Sequence, residues 1–166
     1  MSDLLCIAIE KRFSCRLFDT NKSVPPEAVD RIILAASKAP SGKNGQPWRF
    51  RILTEEDIQV VAEVLPQNKW FSKVKQCIAV FLDSDKIYDV QKDTLAVGAC
   101  IENLILEATA NDIQSCWISE CTAYSDKINY ILEIESRYNL LALIALGYGR
   151  QIGAQPEKLA PHEFMI

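Results

Sequence analysis

Apolar and polar positions recur along this chain in two rhythms. Val29, Ile32, Ile33 and Ala36 follow the i, i+3, i+4, i+7 spacing of a helix with one buried stripe. Pro25-Pro26-Glu27 before them is a helix start, because proline is tolerated in the first turn. Pro40 disfavours a helical residue before it, so this helix ends by Ala39. From Trp48 to Leu53 the pattern alternates strictly, which predicts a strand with one wet face. Thr54-Glu55-Glu56-Asp57 is a capping-box-like start for a helix with a stripe of Ile58, Val61, Ala62 and Leu65. Residues 77–82 and 140–146 are continuous apolar runs, as in central strands covered on both faces. Residues 3–11 predict a short helix and 113–118 a strand. Ser125 is a candidate cap for a helix through Ile134.

The longest helical pattern covers residues 89–110. Val97, Ile101, Leu104, Ile105 and Ala108 line one side, while Ala96, Gly98, Ala99 and Cys100 widen the apolar surface. A helix apolar nearly all round is buried on most sides. It is either a core helix or the contact between two copies. Helices and strands do not alternate strictly, so the expected class is α+β, a sheet between helices, in one domain over residues 1–166.

Bulk properties narrow the function. The chain has 166 residues, half of them hydrophobic, and a net charge of −4, so it lacks the basic footprint of a nucleic-acid binder. No apolar run reaches membrane-span length. Met1-Ser2-Asp3-Leu4-Leu5 shows no basic n-region, and a cytoplasmic location is expected. None of the six cysteines forms a C-x-x-C pair, and His162 is the one histidine, so no zinc site and six free thiols are expected.

Three stretches carry candidate chemistry. Arg12, Ser14 and Arg16 stand at i, i+2, i+4; in an extended segment all three project to one side and suit a phosphate. A solvated basic turn is the bland alternative. Residues 39–48, Ala-Pro-Ser-Gly-Lys-Asn-Gly-Gln-Pro-Trp, form a loop stiffened by prolines and rich in amide side chains. It is either a structural turn or one edge of a ligand site. Trp117-Ile118-Ser119-Glu120-Cys121 is a strand end opening into a loop, where backbone N–H groups are free.

Taken together these stretches resemble the nitroreductase family of flavin-dependent NAD(P)H oxidoreductases. Arg12-Phe13-Ser14-Cys15-Arg16 is similar to its N-terminal Arg-x-Ser-x-Arg/Lys. Residues 39–48 are similar to its Ala-Pro-Ser-x-x-Asn-x-Gln-Pro-Trp signature. Asn103-Leu104 and the Cys-Trp-Ile strand at 116–118 resemble later features, as does Leu146-Gly147-Tyr148. The resemblance implies a mixed, mainly antiparallel sheet flanked by helices, and an obligate homodimer with FMN at its interface. Arg12 and Ser14, with Phe13 between them, would hold the FMN phosphate end, and Arg16 would lie near N1/O2 of the ring. Pro40, Ser41, Gly42 and Asn44 would approach the ring or ribityl chain from the other subunit. The backbone at Ser119 and Glu120 would meet N5. NADH or NADPH would donate hydride, and nitro compounds, quinones or similar small molecules would accept it.

The sequence departs from the family near its end. The usual basic pair is reduced to Lys158, with Arg150 as another candidate for phosphate, and Asp112 and Gln114 replace the usual glycines. The alternative function is a flavin-binding storage or sensor protein with little turnover.

Overall fold

The computed structural model describes residues 2–65, 69–150 and 156–166. Residues 1, 66–68 and 151–155 lie outside these residues.

Five α-helices, α1 (Ser2–Lys11), α2 (Pro26–Ala36), α3 (Glu55–Val64), α4 (Val90–Ala110) and α5 (Ser125–Ile131), accompany four strands, β1 (Trp48–Leu53), β2 (Gln76–Asp83), β3 (Gln114–Ile118) and β4 (Tyr138–Gly147), among the described residues. The sheet order is β1-β2-β4-β3, and every pairing between these strands is antiparallel. The parallel component is a single bridge from Ser14 to Ser115 on β3. This is the α+β architecture that the sequence leads one to expect.

The sheet separates two cores because successive strand residues face opposite sides. On one face Trp48, Ile78, Val80, Ala142 and Ile144 meet Val29 and Ile32 of α2 and Val97, Ile101 and Leu104 of α4. On the other, Cys77, Ala79, Phe81, Leu143 and Ala145 meet Ile58 and Val61 of α3 and Ile128 of α5. A β-bulge between Val80 and Phe81 shifts the register of β2 against β4.

Local chemistry sets the boundaries. Thr54 accepts the Asp57 N–H and Asp57 accepts the Thr54 N–H, both at 3.0 Å, a completed capping box for α3. α4 starts at Asp89, whose side chain accepts the Lys92 N–H at 2.9 Å. Two expectations need correction. Ser125 does not cap α5; the helix grows out of a 3-10 turn, Glu120–Tyr124, and the residue before it offers no side-chain cap. Nor does α5 run to Ile134, because Glu133 turns left-handed at φ 53°. Its N–H reaches the Tyr130 carbonyl and that of Ile134 the Asn129 carbonyl, a Schellman ending. α4 closes the same way, with Asp112 at φ 56°.

Candidate functional site

The segment after α1 runs extended along the sheet. The Cys15 N–H donates to the Ser115 carbonyl at 2.9 Å, and Phe18 bridges Gly149. Phe13 and Cys15 pack into the α3/α5 core, so Arg12, Ser14 and Arg16 alternate to the opposite side, as their spacing requires. Ser14 and Arg16 are exposed and Arg12 is half-buried. Neither guanidinium has an ion-pair partner among the described residues. Two cations without counter-charges among the described residues could hold an anion.

Arg16 opens onto a cavity of about 410 Å³. Trp70, Trp117, Ile118, Ser119 and Glu120 also line it. Ser119 and Glu120 lie where β3 passes into the 3-10 turn, and their N–H groups have no backbone acceptor among the described residues. First-turn amides are free in this way at any helix start. Both residues line the cavity that Arg16 also lines. Cys116 shares the wall, but burial raises its thiol pKa more than nearby Arg16 lowers it. The thiol is therefore a protonated wall group.

Loop 40–47 is tightly constrained. The Ser41 hydroxyl oxygen accepts the Gln46 N–H at 3.0 Å, and the Ser41 and Gly42 carbonyls accept from Asn44 and Gly45. Arg49 donates to the Gln46 and Trp48 carbonyls and pairs with buried Asp83 at 2.7 Å, tying the loop to the sheet edge. Lys43, Asn44 and Gln46 all have positive φ, 54°, 55° and 47°. Such angles are uncommon outside glycine, and clusters of them mark ligand sites. No glycine among the described residues has positive φ. A Cβ on Gly42 would meet the Tyr88 ring and hydroxyl, so a larger residue there needs that exposed side chain to swing aside.

Pro40, Ser41 and Gly42 line a second cavity, of about 300 Å³, closed by Lys92, Leu95 and Ala99 of α4. Asn44 is exposed beside it. Thus the ten residues singled out in the sequence fall into two groups on one chain. Arg16, Ser119 and Glu120 share one cavity, next to Arg12, Phe13 and Ser14; Pro40, Ser41 and Gly42 share the other. Leu95, beside the second, is 68 % exposed, and Val90 is 64 % exposed. Trp70, Lys92 and Leu95 had no motif to mark them; only folding brings them to these walls. Arg150 is turned to Asp19, 3.2 Å away, and that contact joins the stronger Asn21 N–H bond in lowering the Asp19 pKa.

The model of the nitroreductase family matches residues 9–87 and 65–148. The chain belongs to the nitroreductase family. Among solved structures, this nitroreductase-family chain superposes with a TM-score of 0.91 on a protein named as a nitroreductase, in complex with FMN, from Desulfovibrio desulfuricans. The two are 28 % identical, over 98 % of this chain and 95 % of that one. The oxygen-insensitive NAD(P)H nitroreductase of Salmonella typhimurium is 34 % identical over 110 residues, 66 % of this chain and 48 % of that protein. Iodotyrosine deiodinase 1 of Sus scrofa is 33 % identical over 69 residues, 41 % of this chain. The match spans about a quarter, 24 %, of that deiodinase.

Proposed function

We propose that the protein is a homodimeric FMN-dependent oxidoreductase that passes hydride from NADH or NADPH to nitro compounds, quinones or related small acceptors. The carrying observation is the division of the candidate residues between two cavities of one chain, beside exposed Leu95 and Val90. Each cavity supplies half of the donors a flavin needs, and a second copy supplies the other half. Exposed Leu95 and Val90, on α4, give that copy apolar side chains to cover.

The residues fit the cofactor. Arg12 and Arg16, without an ion-pair partner among the described residues, are cations suited to a phosphate and to the electron-rich side of a flavin ring. The free N–H groups at Ser119 and Glu120 suit hydrogen bonding along the ring edge. Trp70 and Trp117 supply flat apolar wall. FMN bound there supplies two-electron chemistry that these side chains do not possess. The protein binds, orients and polarises: Arg16 stabilises negative charge on the ring, and the loop held by Arg49 keeps Pro40–Gly42 in place. The buried thiols and exposed His162 take no proton-transfer role in this scheme. No helix among the described residues is long and apolar enough to cross a membrane, and a small-molecule acceptor in the cytoplasm is the matching setting.

A storage or sensor role is the second reading. It is favoured by Arg150, whose guanidinium is engaged by Asp19 rather than left for a phosphate. An anaerobic absorbance spectrum separates the two. Purified protein is expected to be yellow and to bleach on adding NADH or NADPH. Retained flavin that neither nucleotide reduces supports storage, and a colourless protein that takes up no FMN removes both readings.

A further inference from the structure

The second cavity carries a feature that the flavin scheme does not use. Tyr88 lies on Gly42, and the ammonium groups of Lys43 and Lys92 stand 5.1 and 5.6 Å from its ring centroid. Two cations therefore share one aromatic ring at the end of the cavity wall formed by Gly42 and Lys92. The backbone that carries the ring is held. Buried Asp93 accepts the N–H groups of Tyr88 and Asp89 at 2.9 and 3.1 Å, which anchors the segment carrying it.

The two lysines differ in their counter-charges. Lys92 pairs with Asp89 at 3.1 Å, and that contact is the main cause of its raised pKa. Lys43 has no carboxylate partner among the described residues. It thus presents an uncompensated positive charge, immediately next to Gly42, while Ala96 and Ala99 make the adjoining wall apolar. An apolar wall ending in a free cation suits a flat molecule with one anionic end.

We infer that Lys43, assisted by Lys92, selects an anionic group on the molecule that exchanges electrons with the flavin. This rests on the flavin reading above. It deepens that reading by assigning a substrate charge class: a carboxylate or phosphate in preference to a neutral group. Two sources carry this chemistry, the 2′-phosphate of NADPH and the carboxylate of an aromatic acceptor. Lys43 is a specificity residue; it lies between Gly42 and Asn44 of the flavin loop but is not itself assigned a flavin contact.

The test is calorimetric titration of flavin-loaded protein with two matched pairs, NADP+ against NAD+ and 4-nitrobenzoate against 4-nitrobenzyl alcohol. Wild type, Lys43→Met and Lys43→Arg are compared at low and high salt. Lys43→Met is expected to weaken the more anionic member of one pair by about threefold to tenfold, with its counterpart changed less than about twofold. Lys43→Arg should retain the preference, and added salt should erode it in wild type. A loss confined to NADP+ assigns the phosphate, and one confined to nitrobenzoate assigns the carboxylate. Equal changes within both pairs, or none, overturn the inference. Flavin absorbance of the same samples separates the two claims. Full flavin with no charge preference sinks the role of Lys43 alone, whereas a colourless protein sinks the flavin reading and this inference with it.

Discussion

At the residue scale, charge and burial divide the polar groups into those held by the fold and those left for a ligand. Arg49, Arg51 and Arg137 are paired with Asp83, Asp57 and Asp85, whereas Arg12 and Arg16 are not paired among the described residues. Arg12→Ala is expected to weaken FMN binding by about 1.5–3 kcal/mol, the usual size of a charge-assisted hydrogen bond. Fluorescence titration with FMN measures this, and an unchanged affinity would remove Arg12 from the site. The cysteines lie at the opposite extreme. All six are free, and five are buried. Burial pushes the Cys100 and Cys121 thiols up to about 12, and that of Cys77 well above its usual value. A group whose pKa is higher in the folded state stabilises the fold below its unfolded pKa, and that contribution fades as pH rises toward the folded value. The thermal midpoint should therefore fall from about pH 9 upward, and a Cys100→Ala, Cys121→Ala variant should show a shallower fall from its own lower starting point. Parallel slopes for the two proteins would contradict this.

At the element scale, the left-handed helix endings are the points where the chain is least suited to its own fold. Glu133 closes α5 at φ 53°, is exposed, and puts negative charge at the negative end of a helix dipole. Glu133→Gly should raise stability by about 1 kcal/mol in urea unfolding, with an unchanged denaturant slope. A destabilised protein would mean that the Glu133 side chain makes a contact worth more than the strain. The same residue shows why some boundaries were hidden in the sequence. Pro25-Pro26, Pro40 and Thr54-x-x-Asp57 announce the limits of α2 and α3 through local chemistry, but the expected wet face of β1 is not wet throughout, because Leu53 is buried in the α3/α5 core. An acid in a left-handed ending carries no such signal, so α5 seemed to continue to Ile134. Ile52 fits the alternation of β1 but is 47 % exposed, because it lies near the end of an edge strand with little to cover it. The Arg12–Arg16 segment and loop 39–48 were legible because each is contiguous. Trp70, Lys92 and Leu95 were not, since tertiary packing alone brings them to the cavities.

At the scale of the whole molecule, one chain has two separate cavities and an α4 that is buried on one side and carries exposed Val90 and Leu95 among polar residues on the other. Packing against α1, α2 and the sheet explains the buried side. In the proposed dimer a second copy would cover the exposed Leu95 and Val90 and bring the Pro40–Gly42 cavity of one protomer over the Arg16 cavity of its partner. On this account cofactor binding and association are one event. Native mass spectrometry of protein titrated with FMN tests that directly. The expected result is a dimer carrying two FMN molecules and a monomer, where one is present, carrying none; a monomer that holds FMN with the affinity of the dimer would contradict the composite site.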